Sequence, residues 1–287
     1  MEASAITNIL LPAALGVIML GLGLSLALED FRRVAVYPRA VVAGLLLQMF
    51  VLAAVALGCA TLFGLAPELA VGLMLLAASP GGATANIFSH LARGDVALNI
   101  TLTAINSALS LLWLPIVVNW SLDHFLGRGQ YIPPPVGKIV EVAAIIVLPV
   151  VIGMILRARA PGFAARMERP IRIFAVVFLA VLVAGAIGEN WKILLPALAA
   201  VGLACLVFNV ASLAVGYAAP LVLRLPRRQA IGIAMEIGIH NGALGIYIAL
   251  NVLKMPMTSF APAIYSLIMF VTAAVFVVLV TRRHATA

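Results

Sequence analysis

The chain has 287 residues, of which 64% are hydrophobic and only 10% charged. A soluble domain is nearer half apolar and a quarter charged, so a soluble fold cannot hide this much apolar surface and lipid must solvate much of it. The net charge of +8 does not point to nucleic acid, because the arginines stand in short clusters between apolar runs, where membrane topology is written.

The apolar runs are long and continuous, which predicts helices and excludes a barrel of short alternating strands. A helix needs about 20 apolar residues to cross a bilayer. On that measure the chain reads as nine spans, at about 6–28, 37–60, 68–92, 96–120, 137–157, 171–189, 191–223, 228–251 and 257–281. The N-terminus, Met1-Glu2-Ala3, has no basic run, so the first apolar stretch reads as a retained span and not a cleaved signal. With the N-terminus outside, alternate loops hold 14 of the 18 Lys and Arg residues inside and 4 outside. The positive-inside rule therefore predicts a multi-pass protein of the cell membrane (plasma or inner), N-terminus outside and C-terminus cytoplasmic. Cys59 and Cys205 lie singly in apolar stretches, outside any metal or redox motif, and read as packing residues.

In chain order, Gln48 is the one strongly polar side chain inside the second span. The third span is interrupted by Ser79-Pro80-Gly81-Gly82-Ala83-Thr84-Ala85-Asn86. Proline removes a helix donor and paired glycine loosens the backbone, so the helix should break within the membrane. The freed backbone groups must then be buried in protein or line a polar cavity. The fourth span carries Asn99, Thr103, Asn106, Ser107 and Ser110 at helical spacing, one polar stripe on an apolar helix. Glu141 lies near an outer span end and reads as solvated, and 157–170 is the longest polar inner loop. Asn209 is the lone amide of the seventh span.

The eighth span reads Met235-Glu236-Ile237-Gly238-Ile239-His240-Asn241-Gly242. It sets a carboxylate, an imidazole and an amide about 10–15 Å from the inner end at 1.5 Å per residue. A carboxylate at that depth costs about 2.5–3.5 kcal/mol on insertion scales. No Lys or Arg lies at similar depth in any span, so Glu236 must face a cation, water or a donor. The third and eighth spans are an odd number of helices apart and cross in opposite directions. Matching breaks in two inverted halves point to the binding site of a secondary transporter.

These residues resemble the bile acid:sodium symporter family, as a bacterial member. The resemblance runs over nearly the whole chain. It is strongest at Pro80-Gly81-Gly82-Ala83-Thr84-Ala85-Asn86, Leu91-Ala92-Arg93-Gly94-Asp95-Val96-Ala97-Leu98-Asn99 and Glu236-Ile237-Gly238-Ile239-His240-Asn241-Gly242. It implies an all-α polytopic fold in one membrane unit, 1–287, with inverted repeats and two discontinuous crossing helices. Core helices would be about 37–120 and 191–281, and panel helices about 6–28 and 137–189. It implies sodium-driven symport of a small organic anion by alternating access, with Na⁺ as coupling ion and no other cofactor. One sodium ion would be held at Asn86, Asn99, Thr103 and Glu236, the second at Gln48, Glu236, Ile237, Ile239 and His240. Substrate would meet Ala83, Thr84, Asn106, Asn209 and Asn241.

The chain departs from the family's pattern at several of these positions. Ala83 and Ala85 stand where the family has hydroxyls, and Asn99 where it has a serine. His240 replaces a glutamine, and imidazole nitrogen is a poor ligand for hard Na⁺. Met269-Phe270 replaces a His-Asn pair, which suggests a less polar substrate cavity. Proton coupling through Glu236 and His240 is the alternative, since histidine titrates near neutrality. A channel fits the single buried carboxylate and paired breaks less well. An enzyme is not expected: the four histidines are scattered, and neither His-Glu-x-x-His nor Gly-x-Ser-x-Gly occurs.

Overall fold

The computed structural model describes residues 10–82, 84–127, 136–189, 196 and 198–282. Among them every regular element is helical: α1 Leu11–Ser25, α2 Leu28–Arg32, α3 Pro38–Leu62, α4 Pro67–Ala78, α5 Ala85–Leu91, α6 Val96–Leu126, α7 Val136–Arg159, α8 Pro161–Glu189, α9 Leu198–Val222, α10 Arg227–Gly238, α11 Gly242–Val252 and α12 Pro256–Arg282. The protein is an all-α, multi-pass membrane protein. Four of the described helices, α3, α6, α9 and α12, are long and apolar enough to cross a membrane unaided, or five spans if the bent α1–α2 pair counts as one. Their outer faces are as greasy as their inner ones. Leu112, Val271 and Leu279 are 72%, 65% and 61% exposed, which only lipid makes favourable.

Helix starts follow local chemistry. Proline opens α3, α4 and α12, where its missing N–H costs nothing. Asp95 caps α6 by accepting the Leu98 N–H at 3.0 Å. The first expected span, 6–28, is not straight over its described part, residues 10–28. The helix bends by 67° after Ser25 because Asp30 caps a new turn, accepting the Ala27 N–H at 2.7 Å and pairing with Arg33 at 2.9 Å. The polar stretch read as a loop over 157–170 is mostly helix, since α8 starts at Pro161 and runs through Pro170. Ala164, Ala165, Arg166 and Met167 are good helix formers, and charge alone does not stop a helix. The polar hairpin expected at 189–192 lies outside the described residues after Glu189.

α1, α7 and α8 pack chiefly on one another. Gly23 and Gly153 let α1 and α7 touch backbone to backbone. A methyl on Gly23 would lie 2.8 Å from the Val150 carbonyl carbon, and one on Gly153 would lie 2.7 Å from the Leu24 amide nitrogen. The remaining long helices surround the two interrupted pairs, α4–α5 and α10–α11.

Corresponding features recur 159 to 161 positions apart. The backbone turns left-handed at Gly64 and at Arg224, then again at Arg93 and at Lys254. Gly64 and Arg93 bracket the first interrupted helix, and Arg224 and Lys254 the second. Where the two interruptions meet, Gly81 and His240 form an antiparallel bridge. The Gly82 N–H donates to the Ile239 carbonyl at 2.7 Å, and the Asn241 N–H to the Pro80 carbonyl at 2.9 Å. Each break thus satisfies backbone groups of the other, as burial in an apolar medium requires.

Candidate functional site

α4 and α10 end at the crossing with carbonyls that no helical turn can satisfy. Gln48 on α3 donates its Nε2 to the Ser79 carbonyl at 3.0 Å. Asn209 on α9 donates its Nδ2 to the Gly238 carbonyl at 2.8 Å. These two amides, the only ones in their helices, therefore do the same work in the two halves. They differ in what is left over. The Asn209 Nδ2 also reaches the Tyr265 hydroxyl at 2.8 Å, and its Oδ1 accepts from the Thr272 hydroxyl. Asn209 is fully buried, and both its Nδ2 and its Oδ1 are engaged in bracing. The Gln48 Oε1, by contrast, is buried and has no partner.

Glu236 stands two residues before the end of α10, 1% exposed. Its Oε2 accepts the Thr103 hydroxyl at 2.5 Å and the Asn99 Nδ2 at 3.2 Å. The Asn99 Nδ2 also donates to the Gly232 carbonyl at 2.9 Å. Two members of the polar stripe of α6, Asn99 and Thr103, are thus turned onto the carboxylate. The other oxygen, Oε1, has no hydrogen-bond partner, and neither have the Asn86 Oδ1 and the Asn99 Oδ1. The only ion pair among the described residues is Asp30–Arg33, so no cationic side chain faces Glu236 there. A buried carboxylate without a counter-charge costs several kcal/mol. Gly81 makes room for it: a methyl at that position would lie 2.5 Å from the carboxylate carbon and overlap the group.

His240 is 1% exposed, and its ring packs beside Phe208, at 5.9 Å, and Tyr265, at 5.4 Å, which also touch each other. Its Nδ1 is 3.2 Å from the Ser79 carbonyl. A carbonyl only accepts, so the proton is assigned to Nδ1, and Nε2 becomes a buried acceptor without a partner. Ile237 and Ile239 are fully buried. The Ile239 carbonyl is taken up by the bridge to Gly82, and the Ile237 side chain fills the space beside Gly216 on α9.

Of the expected substrate contacts, Thr84 and Asn241 line a small cavity of about 50 Å³ between α1, α8 and the crossing. Met269 and Phe270 form part of its wall. The Asn241 Oδ1 caps α11 by accepting the Leu244 N–H at 3.1 Å. Asn106 is buried on α6 with its Nδ2 unpartnered, away from that cavity's lining. Ala83 lies outside the described residues. The sequence reading missed Ser79, whose carbonyl collects both Gln48 and His240. Its place just before Pro80, where a helix must end, was the available signal. It also missed Tyr265, whose hydroxyl donates to the Gly238 carbonyl at 2.9 Å. Nothing in the sequence marks that tyrosine as part of the crossing.

Residues 12–197 match the model of the Sodium Bile acid symporter family. The chain is 29% identical over 255 residues to the Arabidopsis thaliana protein named "Probable sodium/metabolite cotransporter BASS1, chloroplastic", covering 88% of this chain and 62% of that one. It is 25% identical over 253 residues to the "Uncharacterized sodium-dependent transporter YocS" of Bacillus subtilis, covering 88% of this chain and 77% of that one. It is 26% identical over 233 residues to the rat "Sodium/bile acid cotransporter 5", covering 81% of this chain and 52% of that one. The chain thus spans about 60% of the length of the plant relatives it matches.

Proposed function

Because this chain belongs to the Sodium Bile acid symporter family, we propose that it is a secondary active transporter carrying a small organic anion, a carboxylate, together with sodium ions by alternating access. The observation that carries the reading is Glu236. It is a carboxylate buried where two helices are interrupted, without a cationic side chain among the described residues and beside oxygens that lack partners. A bound cation would supply the missing charge and partners together. Family and relatives bear the names of transporters, not of enzymes.

In this proposal one sodium ion is held by Asn86, Asn99, Thr103 and Glu236. A second is held by Gln48, Glu236, backbone oxygens of Ile237 and Ile239, and His240. Thr84 and Asn241 meet the anion, and Met269 and Phe270 favour a substrate with an apolar body beside its carboxylate. α1, α7 and α8 form the panel and the other helices the core, in nine spans of the cell membrane with the N-terminus outside. If two sodium ions accompany a monoanion, one net charge moves per cycle, about 2.3 kcal/mol per 100 mV.

Purified protein reconstituted in vesicles tests this against a panel of radiolabelled carboxylates. An inward sodium gradient should drive accumulation of at least one of them. Equimolar potassium, or Glu236→Ala, should abolish it. Full accumulation by Glu236→Ala would refute the reading. Proton coupling is the second reading, favoured by the bare Nε2 of His240. Uptake that follows a pH gradient at fixed sodium would select it.

A further inference from the structure

α3 begins beside the end of α9, and both helices are long and apolar enough to span a bilayer. A groove of about 530 Å³ runs between them, within the size range of ligand sites. Arg39, Val42 and Leu46 supply one wall at helical spacing, and Leu223 and Leu225 supply the other. Val42, Leu46 and Leu223 are 53%, 51% and 60% exposed, so no described part of the chain covers the groove. At the end of a spanning helix such a wall meets lipid.

Arg39 is the one charged residue in the lining. It is exposed, at the second position of α3. The only ion pair among the described residues is Asp30–Arg33, so Arg39 has no acidic partner there. Nor is Arg39 needed to cap α9, whose end closes on itself. The Leu223 N–H donates to the Ala219 carbonyl at 3.0 Å, and the Leu225 N–H to the Pro220 carbonyl at 2.9 Å. No side chain caps the start of α3, so the positive end of its dipole adds to the arginine charge. An apolar trough with a cation at its membrane face matches a lipid with a negatively charged headgroup. We propose that this groove binds an anionic phospholipid, its phosphate at Arg39 and an acyl chain along Val42, Leu46 and Leu223. A zwitterionic lipid offers the same chains but no net charge to answer Arg39. The proposal does not depend on the sodium reading.

Purified protein is melted in sodium-free buffer of constant ionic strength with phosphatidylglycerol or phosphatidylcholine of identical acyl chains, since a lipid that binds the folded state raises its stability. Phosphatidylglycerol should stabilise at lower concentration than phosphatidylcholine. Arg39→Gln removes the charge and keeps part of the stem. It should need about tenfold more phosphatidylglycerol for half-maximal stabilisation, with its response to phosphatidylcholine unchanged. Leu46→Trp fills the groove and should weaken the response to phosphatidylglycerol with the charge intact. Arg93→Gln changes an exposed arginine outside the groove and should behave as the parent. Equal responses of the parent to the two lipids, or a midpoint that Arg39→Gln or Leu46→Trp leaves in place, would overturn the proposal. A loss as large in Arg93→Gln would reduce the effect to general charge, and equal stabilisation by inorganic phosphate would leave the acyl chain no role. Either result overturns it as well.

Discussion

Gly81 and Glu236 fit together too closely for any side chain at position 81, because a methyl there lies 2.5 Å from the carboxylate carbon. Overpacking a tight site costs about 1–3 kcal/mol. Gly81→Ala should therefore either unfold the crossing or push the carboxylate off Thr103 and Asn99. The expected result is a protein that still inserts, melts lower and no longer gains stability from sodium. An unchanged sodium titration would show that the carboxylate's position is not critical. Depth and the absence of basic residues marked Glu236 in the sequence.

At the scale of the helix, each break is held by an amide from a neighbouring element, Gln48 for the end of α4 and Asn209 for the end of α10. The sequence showed both as isolated amides in apolar spans, and only the family resemblance gave them different roles. The difference comes from Thr272, 63 positions away on α12, which occupies the Asn209 Oδ1. Asn209→Ala should lower stability by about 1 kcal/mol, the usual scale for hydrogen bonds within a membrane, and leave the sodium midpoint where it was. Gln48→Ala should lower stability and also weaken the sodium response. Sodium-dependent melting of the two variants side by side separates these outcomes, and a sodium effect from Asn209→Ala would return that residue to the ligand set. Helix ends were less legible than helix middles. The stretch from Pro161 to Pro170 is charged enough to read as a loop, yet its alanines, arginine and methionine propagate a helix once Pro161 has opened it.

At the scale of the molecule, composition and the spacing of basic clusters were enough to read a multi-pass helical protein, since both answer to lipid and not to detailed packing. The two matching breaks were legible in the sequence, but the register of about 160 residues between the halves came from backbone geometry. Its paired features are left-handed turns and carbonyl braces made by different residue types: glycine and arginine at one pair, glutamine and asparagine at another. Orientation is open to direct labelling. Single cysteines at Gly127 and Ala160 follow the C-terminal ends of α6 and α7, which cross in opposite directions in the proposed topology, the native Cys59 and Cys205 being buried. An impermeant maleimide applied to intact cells should label Gly127→Cys and spare Ala160→Cys, and the reverse pattern would invert the proposed topology. The account as a whole turns on a cation held by the carboxylate at the crossing. Equilibrium binding of radioactive sodium to purified protein measures this directly. Wild type should bind saturably, and Glu236→Gln, which keeps the shape and removes the charge, should bind at least about a hundredfold more weakly. Equal binding by the two proteins would contradict the account.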